Sequence, residues 1–437
     1  MTTPATLSTA RLEEHLRVLT GDIGVRLAGS SAEAQAADYI ARAFRQTGAA
    51  VTLETFPVFE RCVTEEHLEV FVQGAWRAFP CSLFSSTPGT NGATVEAPLV
   101  FFAAPTDYAR ADLSFLRGKA VVHLGCHIES REAYRRLMAA EPAFLLFVDI
   151  RYPGSTPLAD GMFPSYTRDL GALPTLNVAY QDAWSWRRQE ATAARIRVRA
   201  MARPAASQAV LADLPGTDPA AGVLVASAHH DTQAGSVGAD DNASGVVTLL
   251  EMARVLAPLP RRQTVRLISF GAEEQLSVGS AAYVRRHRQE IAGAVRVVLN
   301  LDSHGSLLGW TELNANGPEA MVEALVDAFR QADVYPAVTR EVVPYTDQFP
   351  FAVLGIPGIW LSRRNCAAGR FLHHLPSDDM AHLSSAVLAA HGQAMVSVMQ
   401  EWSAAPTLPF PVEIPAAQTA AIATFWEDLY GGWAGLD

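Results

Sequence analysis

The chain has 437 residues, of which 49% are hydrophobic and 18% are charged. This composition excludes wholesale disorder, and the length suggests two or three domains rather than one. A formal net charge of -11 argues against a nucleic-acid partner, because nucleic acids select basic surfaces.

The start of the chain, MTTPATLSTARLEEHL, has neither the basic stretch nor the apolar stretch of a secretory signal. No run of residues approaches the roughly 18 apolar residues that cross a membrane. We therefore predict a cytoplasmic protein without a membrane partner, although a trimmed secreted form would look the same. The cysteines lie far apart, which favours isolated buried thiols over a disulfide: Cys62, Cys81, Cys126 and Cys366.

The first segment of the chain predicts two helices and a strand. Leucines recur every three or four residues from Leu12 to Leu19, the spacing of one helix face. A second apolar face begins after Ser31, which we interpret as the N-cap, and ends at Gly48. A strand-like run follows at 51–58. We expect these elements to provide packing and no chemistry.

Residues from about 60 to 200 have a different sequence pattern, with short apolar runs broken by Gly and Pro. We predict three strands here: 98–104, 119–124 and 144–150. A helix is predicted at 131–140. His123 and His127 flank Cys126, but without a second cluster of ligands this group indicates ordinary packing. The region is typical of a separate accessory domain.

From about 209 to 402 the pattern becomes an alternation of strands and helices. The predicted strands are near-continuous apolar runs, as in sheets covered on both faces: 223–228, 265–270, 295–301 and 358–361. The predicted helices lie between and after them: 243–256, 279–288, 318–331 and 384–402. This alternation predicts an α/β fold with a mostly parallel central sheet flanked by helices. The tail, rich in Pro and then aromatic, covers either the body of the protein or a partner subunit.

Acidic and histidine side chains follow each predicted strand. His229 and Asp231 come directly after the first strand, and in an extended chain they point to the same side, so Asp231 could fix the tautomer of His229. The Gly/Asp/Asn-rich turn before the next helix contains Asp240 and Asp241. One carboxylate would suffice for an N-cap, so the second indicates a function, and Asp240 is interpreted as a support residue. A carboxylate at a strand-to-helix junction is well placed to bridge two cations.

Glu273 and Glu274 follow the second strand, where adjacent acids repel one another unless a cation or proton intervenes. Asp302 ends the third strand, and His373 and His374 lie in the loop after the last. Parallel strands bring such ends to one edge of the sheet. Three carboxylates and two imidazoles are what two zinc-like ions need if one carboxylate is shared, so the residues indicate a metallo-hydrolase.

Five motifs carry a family resemblance: HHD, GADDNASG, GAEE, NLD and HLPSD, in that order. They resemble the zinc aminopeptidases of peptidase family M28, over most of 209–402, although Leu375 stands where that family often carries Thr. The stretch DIGVRLAGS is similar to the family's N-terminal part, while GKAVV and LPTLNVAYQDA resemble an inserted protease-associated domain. The resemblance implies four parts: N-terminal helices of the catalytic unit at 1–59, a smaller β-rich inserted domain at 60–204, the zinc-exopeptidase-like catalytic domain at 205–403 and a C-terminal extension at 404–437.

The resemblance also implies a role for each site residue. Five side chains would hold two zinc ions: Asp241 as the bridge, Glu274 and His374 at one ion, and His229 and Asp302 at the other. Glu273 would be the general base of a metal-assisted hydrolysis, with Asp231 orienting His229. Asp347 would be a substrate-side or a structural residue. His230 and His373, next to proposed ligands, could exchange roles with them, and Co²⁺ or Mn²⁺ could replace zinc.

The substrate implied by the resemblance is a peptide cleaved at its N-terminal bond. Dipeptidase or carboxypeptidase activity stays open, because the metal ligands do not distinguish these specificities. A glutaminyl cyclase-like acyltransferase would need one zinc, and a non-catalytic scaffold would need none. The filled set of five ligand positions disfavours both. A homo-oligomer is left open.

Overall fold

The computed structural model describes residues 6–125, 127–366 and 370–434. Cys126, predicted to be an isolated thiol, lies outside the described residues. So do the two ends of the chain, which were assigned above to the N-terminal helices and the C-terminal extension. Cys62, Cys81 and Cys366 are free thiols, as predicted, but they are half-buried rather than buried.

The described residues form a 14-stranded sheet. Its strands are β1 Ala50–Val72, β2 Ala75–Phe79, β3 Ser82–Leu83, β4 Val95–Ala103, β5 Ala120–Gly125, β6 Phe144–Asp149, β7 Thr175–Asn177, β8 Ala193–Leu214, β9 Val223–His229, β10 Thr264–Phe270, β11 Val295–Leu301, β12 Trp310–Asn316, β13 Ala337–Thr339 and β14 Gly358–Arg364. The order across the sheet is β13-β12-β14-β11-β9-β10-β8-β4-β5-β6-β7-β3, with β1 paired to β8 and β2 paired to β1.

Helices connect and cover these strands. They are α1 Thr9–Arg17, α2 Ser31–Gln46, α3 Ala104–Asp107, α4 Arg131–Ala139, α5 Pro164–Leu170, α6 Tyr180–Arg188, α7 Ser244–Leu256, α8 Val278–Arg286, α9 Arg288–Ala294, α10 Glu319–Gln331, α11 Phe349–Ala352, α12 Ser385–Ala404 and α13 Ala416–Tyr430. Within the described part of the chain, none of these helices has the length and apolarity that a membrane crossing requires.

The centre of the sheet consists of the parallel strands β10, β9, β11 and β14. Both of its faces are covered. Leu224 and Leu267 share a core with α1, α2, α7, α10 and α12, whereas Val225 and Ile268 share another with α8 and α9. Because alternate side chains of one strand point to opposite faces, burial on both faces requires the near-continuous apolar runs seen in the sequence. The predicted α/β class with a mostly parallel sheet is confirmed.

Strands β1 and β8 form a long antiparallel ribbon that connects two regions of the protein. At one end Ala50 pairs with Asp213, and β8 also pairs with β10 of the central sheet. At the other end Phe71 pairs with Ala193, and β8 also pairs with β4. The stretch between the two ends is exposed, with Met201 67% accessible. The predicted boundaries at 60 and 204 fall on this ribbon, and the division into domains stays a prediction.

Residues between the two ribbon strands form an accessory region around the parallel strands β4, β5, β6 and β7. Helices α3 to α6 connect these strands, so the region is richer in helix than the sequence analysis predicted. Its core includes Phe144, Trp186 and Ile196, which are completely buried.

Three details differ from the sequence analysis or extend it. Helix α2 has Ser30 as its N-cap, not Ser31: Ser30 is extended and its side chain accepts a hydrogen bond from Glu33 N. Strand β12 was not predicted, since WTELNAN has few apolar residues. Helix α13 in the tail was not predicted either, and it covers the body of its own chain.

Helix α13 contacts both regions of the protein. The Asp428 carboxylate accepts hydrogen bonds from Arg131 N and from the Tyr166 hydroxyl of the accessory region. The Gln418 side chain donates to Ala315 O at the end of the central sheet. Trp426 is buried in an apolar cluster that both regions contribute to. The tail therefore fixes the accessory region against the central sheet.

We predict that the buried imidazole of His123 makes the fold sensitive to acid. Its ring stacks between Phe102 and Phe147, and burial lowers its pKa to about 4. The unfolded chain, with an ordinary histidine pKa of about 6.5, binds the proton first, so stability falls as the pH drops from about 6.5 to 4. At about 1.4 kcal/mol per pKa unit the loss by pH 4 is roughly 3 kcal/mol.

The measurement is chemical denaturation of wild type and His123→Phe between pH 4 and pH 7.5. The variant should lose roughly 3 kcal/mol less stability over that range. His382→Gln, at an exposed position, is the control and should follow wild type. Equal losses for wild type and His123→Phe would contradict the assignment.

Candidate metal centre

Three parallel strands end at one edge of the central sheet, and the predicted side chains lie there. His229 is the last residue of β9, Asp302 follows β11 directly, and Glu273 lies three residues beyond β10. All of them are at least nine-tenths buried. Because parallel strands present their carboxyl ends at the same edge, side chains far apart in the sequence meet here.

Asp241 reaches this edge from the loop between β9 and α7. The backbone there is not helical at Asp241 and Asn242. The carboxylate of Asp378 holds the loop by accepting the N–H groups of Asp240 and Asp241, at 2.8 and 3.0 Å. One carboxylate that accepts two consecutive amides fixes the direction of the Asp241 side chain.

The Asp241 carboxylate lies between imidazoles on both sides. Its Oδ1 is 3.2 Å from His229 Nε2, which is itself 3.6 Å from Asp302 Oδ1. Its Oδ2 is 3.6 Å from His374 Nε2, which is 3.0 Å from Glu274 Oε2. The structure therefore brings together all five side chains that the sequence analysis proposed as ligands, with Asp241 between the two sets.

His373 also lies at Asp241. Its Nδ1 is 3.1 Å from Asp241 Oδ2, and its ring stacks on that of His374 at a centroid distance of 3.5 Å. His374 is close to two carboxylates, Asp241 and Glu274, whereas the one ion pair of His373 within the described residues is with Asp241. This difference favours His374 as the ligand. His230 instead contacts Ser269 Oγ at 3.0 Å, below the edge of the sheet.

The donor atoms of this cluster fit divalent cations. Four buried atoms have no hydrogen-bond partner among the described residues: Nδ1 and Nε2 of His229, Oε1 of Glu274 and Nδ1 of His374. Buried polar atoms without a partner are costly, and a metal ion would satisfy those that face it. Two groups of three ligand atoms lie within 4.8 Å of one another, and Asp241 belongs to both: His229, Asp241, Glu274 and Asp241, His373, His374. Mixed imidazole and carboxylate donors are typical of zinc.

Asp231 contacts three residues of the candidate centre. Its two carboxylate oxygens accept the backbone N–H groups of Glu273 and Glu274, at 3.0 and 3.1 Å. Its Oδ1 is also 3.4 Å from His229 Nδ1. Asp231 is completely buried and does not line the cleft, a placement that favours a positioning role over a catalytic one.

Glu273 faces the cleft beside the ligand cluster. Its Oε2 is 3.8 Å from His229 Nε2, and its Oε1 accepts a hydrogen bond from Ser277 Oγ at 3.1 Å. Burial raises the pKa of Glu273 well above its usual range, and the nearby carboxylates of Asp347, Asp302 and Glu274 act in the same direction. A carboxyl group in this position, in the cleft beside the proposed ligands, is placed to exchange a proton with a water molecule there.

The charges of the ligands depend on one another. Burial opposes the ionised form of Asp241, but Arg370, with His229 and His373, lowers its pKa well below the usual range. Burial also opposes the charged form of His374, yet Glu274 beside it raises the pKa of His374 to about 9. Cations bound by these side chains would replace the protons, because metal ligands must be deprotonated.

Two other acids of the sequence analysis, Asp240 and Asp347, are buried beside the candidate centre. Asp240 accepts hydrogen bonds from Gly305 N and Ser306 Oγ, at 2.7 and 3.0 Å, which agrees with its interpretation as a support residue. Asp347 is completely buried, whereas its neighbours Tyr345 and Thr346 line the cleft. This placement favours a structural role for Asp347 over a substrate-side one.

A cleft of about 250 Å³ opens above the ligands. The accessory region lines one side of it with His127, Arg151, Tyr152 and Asp160. Trp360 and Arg370 line it near the ligands. Sequence reasoning missed this wall and interpreted His127 as ordinary packing, because these residues come from loops outside any motif and only the fold brings them to the centre.

Known proteins resemble this chain in sequence and in fold. Residues 209–399 match Peptidase family M28. The chain is 26% identical over 394 residues to Aminopeptidase YwaD of Bacillus subtilis, covering 88% of this chain and 82% of that protein. The structure of BSAP, a zinc aminopeptidase from Bacillus subtilis, superposes with a TM-score of 0.75 at 21% identity, covering 94% of this chain and 98% of the other. A Peptidase M28 precursor from Shewanella amazonensis SB2B gives 0.78 at 17% identity, covering 93% and 96%.

We predict that Asp231→Asn weakens zinc binding by roughly 10- to 100-fold, the usual effect of losing a partner of the ligands. A carboxamide has one acceptor oxygen, so the N–H of Glu273 or of Glu274 loses its acceptor and the ligand geometry loosens. Competition with a chromophoric chelator measures the affinity. Asp218→Asn, in an exposed pair with Arg262, is the matched control. An Asp231→Asn affinity within two-fold of wild type would contradict the positioning role.

Proposed function

Because residues 209–399 belong to peptidase family M28, we propose that this metallopeptidase is a zinc aminopeptidase that removes N-terminal residues from peptides. The single observation that supports this most directly is the position of Asp241, whose two oxygens face different imidazoles. A carboxylate shared in this way suits two ions rather than one. The names of the similar proteins, Aminopeptidase YwaD and zinc aminopeptidase, point to the same reaction.

We assign five side chains to the ions. His229 and Asp302 would hold one zinc, Glu274 and His374 would hold the other, and Asp241 would be shared by both. Bound zinc would lower the pKa of a water molecule and polarise the carbonyl of the peptide bond. The remaining steps fall to the protein's own side chains.

Glu273 is the proton carrier in this proposal. Its carboxylate faces the cleft beside His229, within reach of a water between the two ligand sets. It accepts a proton as the water attacks, and it returns that proton to the amine that leaves. Ser277 Oγ donates to Oε1 and orients the carboxylate, while Asp231 holds the backbone of Glu273. Proton transfer of this kind typically contributes a factor of about 10² to 10⁴ to the rate.

The test of the proposed function combines metal content with activity. We expect purified protein to contain about two zinc ions per chain by elemental analysis, as the shared carboxylate requires. It should hydrolyse aminoacyl anilides, and chelation should abolish the activity until zinc is restored. One ion with no anilide hydrolysis would favour an acyltransferase. Protein that takes up no metal would favour a scaffold.

We predict that Glu273→Gln removes turnover and keeps the metal. The carboxamide cannot accept the proton, yet it is not a proposed ligand, so kcat should fall at least about 100-fold while metal content stays near wild type. Asp241→Ala, at the shared ligand, is the contrasting variant and should lose both ions. Glu273→Gln retaining more than a few per cent of wild-type kcat would rule out Glu273 as the base.

A further inference from the structure

The guanidinium of Arg370 lies inside the ligand cluster. Its Nη1 is 3.2 Å from Asp241 Oδ2 and 3.5 Å from Asp302 Oδ1, and it donates to Ser303 Oγ. The side chain is only 16% exposed. Its guanidinium carbon lies 5.6 Å from the centre of the Trp360 ring. Arg370 is thus buried in contact with two of the proposed metal ligands.

Arg370 and the cations compete for the same oxygen atoms. Oxygens of Asp241 and Asp302 face the guanidinium at hydrogen-bond distance. A cation held by the same two oxygens would occupy this space. A divalent ion a few ångströms from a guanidinium is repelled strongly where little water screens the charges. Ions held by Asp241 and Asp302 therefore require that the guanidinium move away from them, toward the cleft that Arg370 lines.

The other arginines of the cleft have carboxylate partners of their own. Arg151 pairs with Asp149 at 2.7 Å, and Arg364 pairs with Glu312 at 2.8 Å. Arg370 differs, because its ion pairs within the described residues are with Asp241 and Asp302. Once those two carboxylates neutralise bound ions, Arg370 is a largely buried cation that needs another anion.

The cleft has room for a small anion carried by the substrate. Its volume is about 250 Å³. In a dipeptide, the terminal carboxylate lies one residue, roughly 4 Å, beyond the peptide bond that is cleaved. A guanidinium next to the ions is within that range, and its planar fork binds a carboxylate with two parallel hydrogen bonds.

We propose that bound cations displace Arg370 from Asp241 and Asp302 into the cleft, where it binds the terminal carboxylate of a dipeptide. This inference rests on the proposed function and narrows its substrate class to dipeptides. It makes Arg370 a substrate-binding residue that is available only when the ions are present. Asp160, which lines the same cleft, is the protein's own alternative partner for the displaced guanidinium.

The first test measures zinc affinity without using activity. In metal-free full-length protein titrated with zinc against a chelator, Arg370→Gln should bind zinc at least ten-fold more tightly than wild type, because no guanidinium has to be displaced. Arg370→Lys keeps the charge and should stay within three-fold of wild type. Arg135→Gln, at an exposed position on α4 outside the cleft, is the control and should also match wild type. Equal or weaker zinc binding by Arg370→Gln overturns the displacement.

The second test compares zinc-loaded variants on a dipeptide and on the amide of the same dipeptide. Wild type should favour the free carboxylate at least ten-fold in kcat/KM, mainly through a lower KM. In Arg370→Gln and in Arg370→Lys this ratio should fall below three, whereas Arg135→Gln should keep it. Thermal denaturation of each variant establishes that it is folded.

The outcomes separate the two proposals. Wild type that hydrolyses anilides but shows no preference for the free carboxylate overturns the inference and leaves the aminopeptidase standing. A preference for the free carboxylate that persists in Arg370→Gln also overturns the inference. If Arg370→Gln keeps that preference and also binds zinc more tightly than wild type, the displaced guanidinium turns to Asp160 and not to the substrate. Zinc-loaded wild type that hydrolyses neither anilides nor dipeptides overturns both.

Discussion

The metal centre depends on holding like-charged carboxylates close together in a buried place, where their mutual repulsion is strongest. The protein achieves this through the backbone. Asp231 accepts the amides of Glu273 and Glu274, and Asp378 accepts those of Asp240 and Asp241. Two acids that are not proposed ligands therefore fix the peptide units that carry the ligands. The cost of gathering the charges is offset by hydrogen bonds that form as the chain folds, so the oxygens already converge before cations bind.

The same arrangement explains why so much of the molecule surrounds a small cleft. Strands covered on both faces deliver the ligands rigidly, but they cannot shape the space in front of them. The accessory region shapes this space, with Arg151 and Tyr152 at the cleft. The tail keeps the accessory region in place, because Asp428 bonds to the accessory region and Gln418 bonds to the central sheet. The proposed ligands and the residues that shape the cleft thus come from different parts of the chain and meet at a single edge of the sheet.

The proposed ligands and the strands that carry them can be identified from local patterns in the sequence. A strand buried on both faces must be almost entirely apolar, so β9, β10 and β11 stand out, and acids at their ends are conspicuous. Other features are set by contacts between distant residues. Nothing near Arg370 indicates that it meets Asp241, 129 positions away. Strand β12 is buried by its neighbours rather than by its own composition, and α13 becomes identifiable only against the surface it covers.

The paired strands β1 and β8 leave the central sheet and return to it side by side, in continuous register over most of their length. The accessory region between them therefore has an entry and an exit that are already adjacent. Its size or sequence can change while the pairing of β8 with β10 stays as it is, because loops tolerate such changes far better than packed strands. Access to the cleft can thus change through the accessory region alone, while the strand ends that carry the proposed ligands keep their positions.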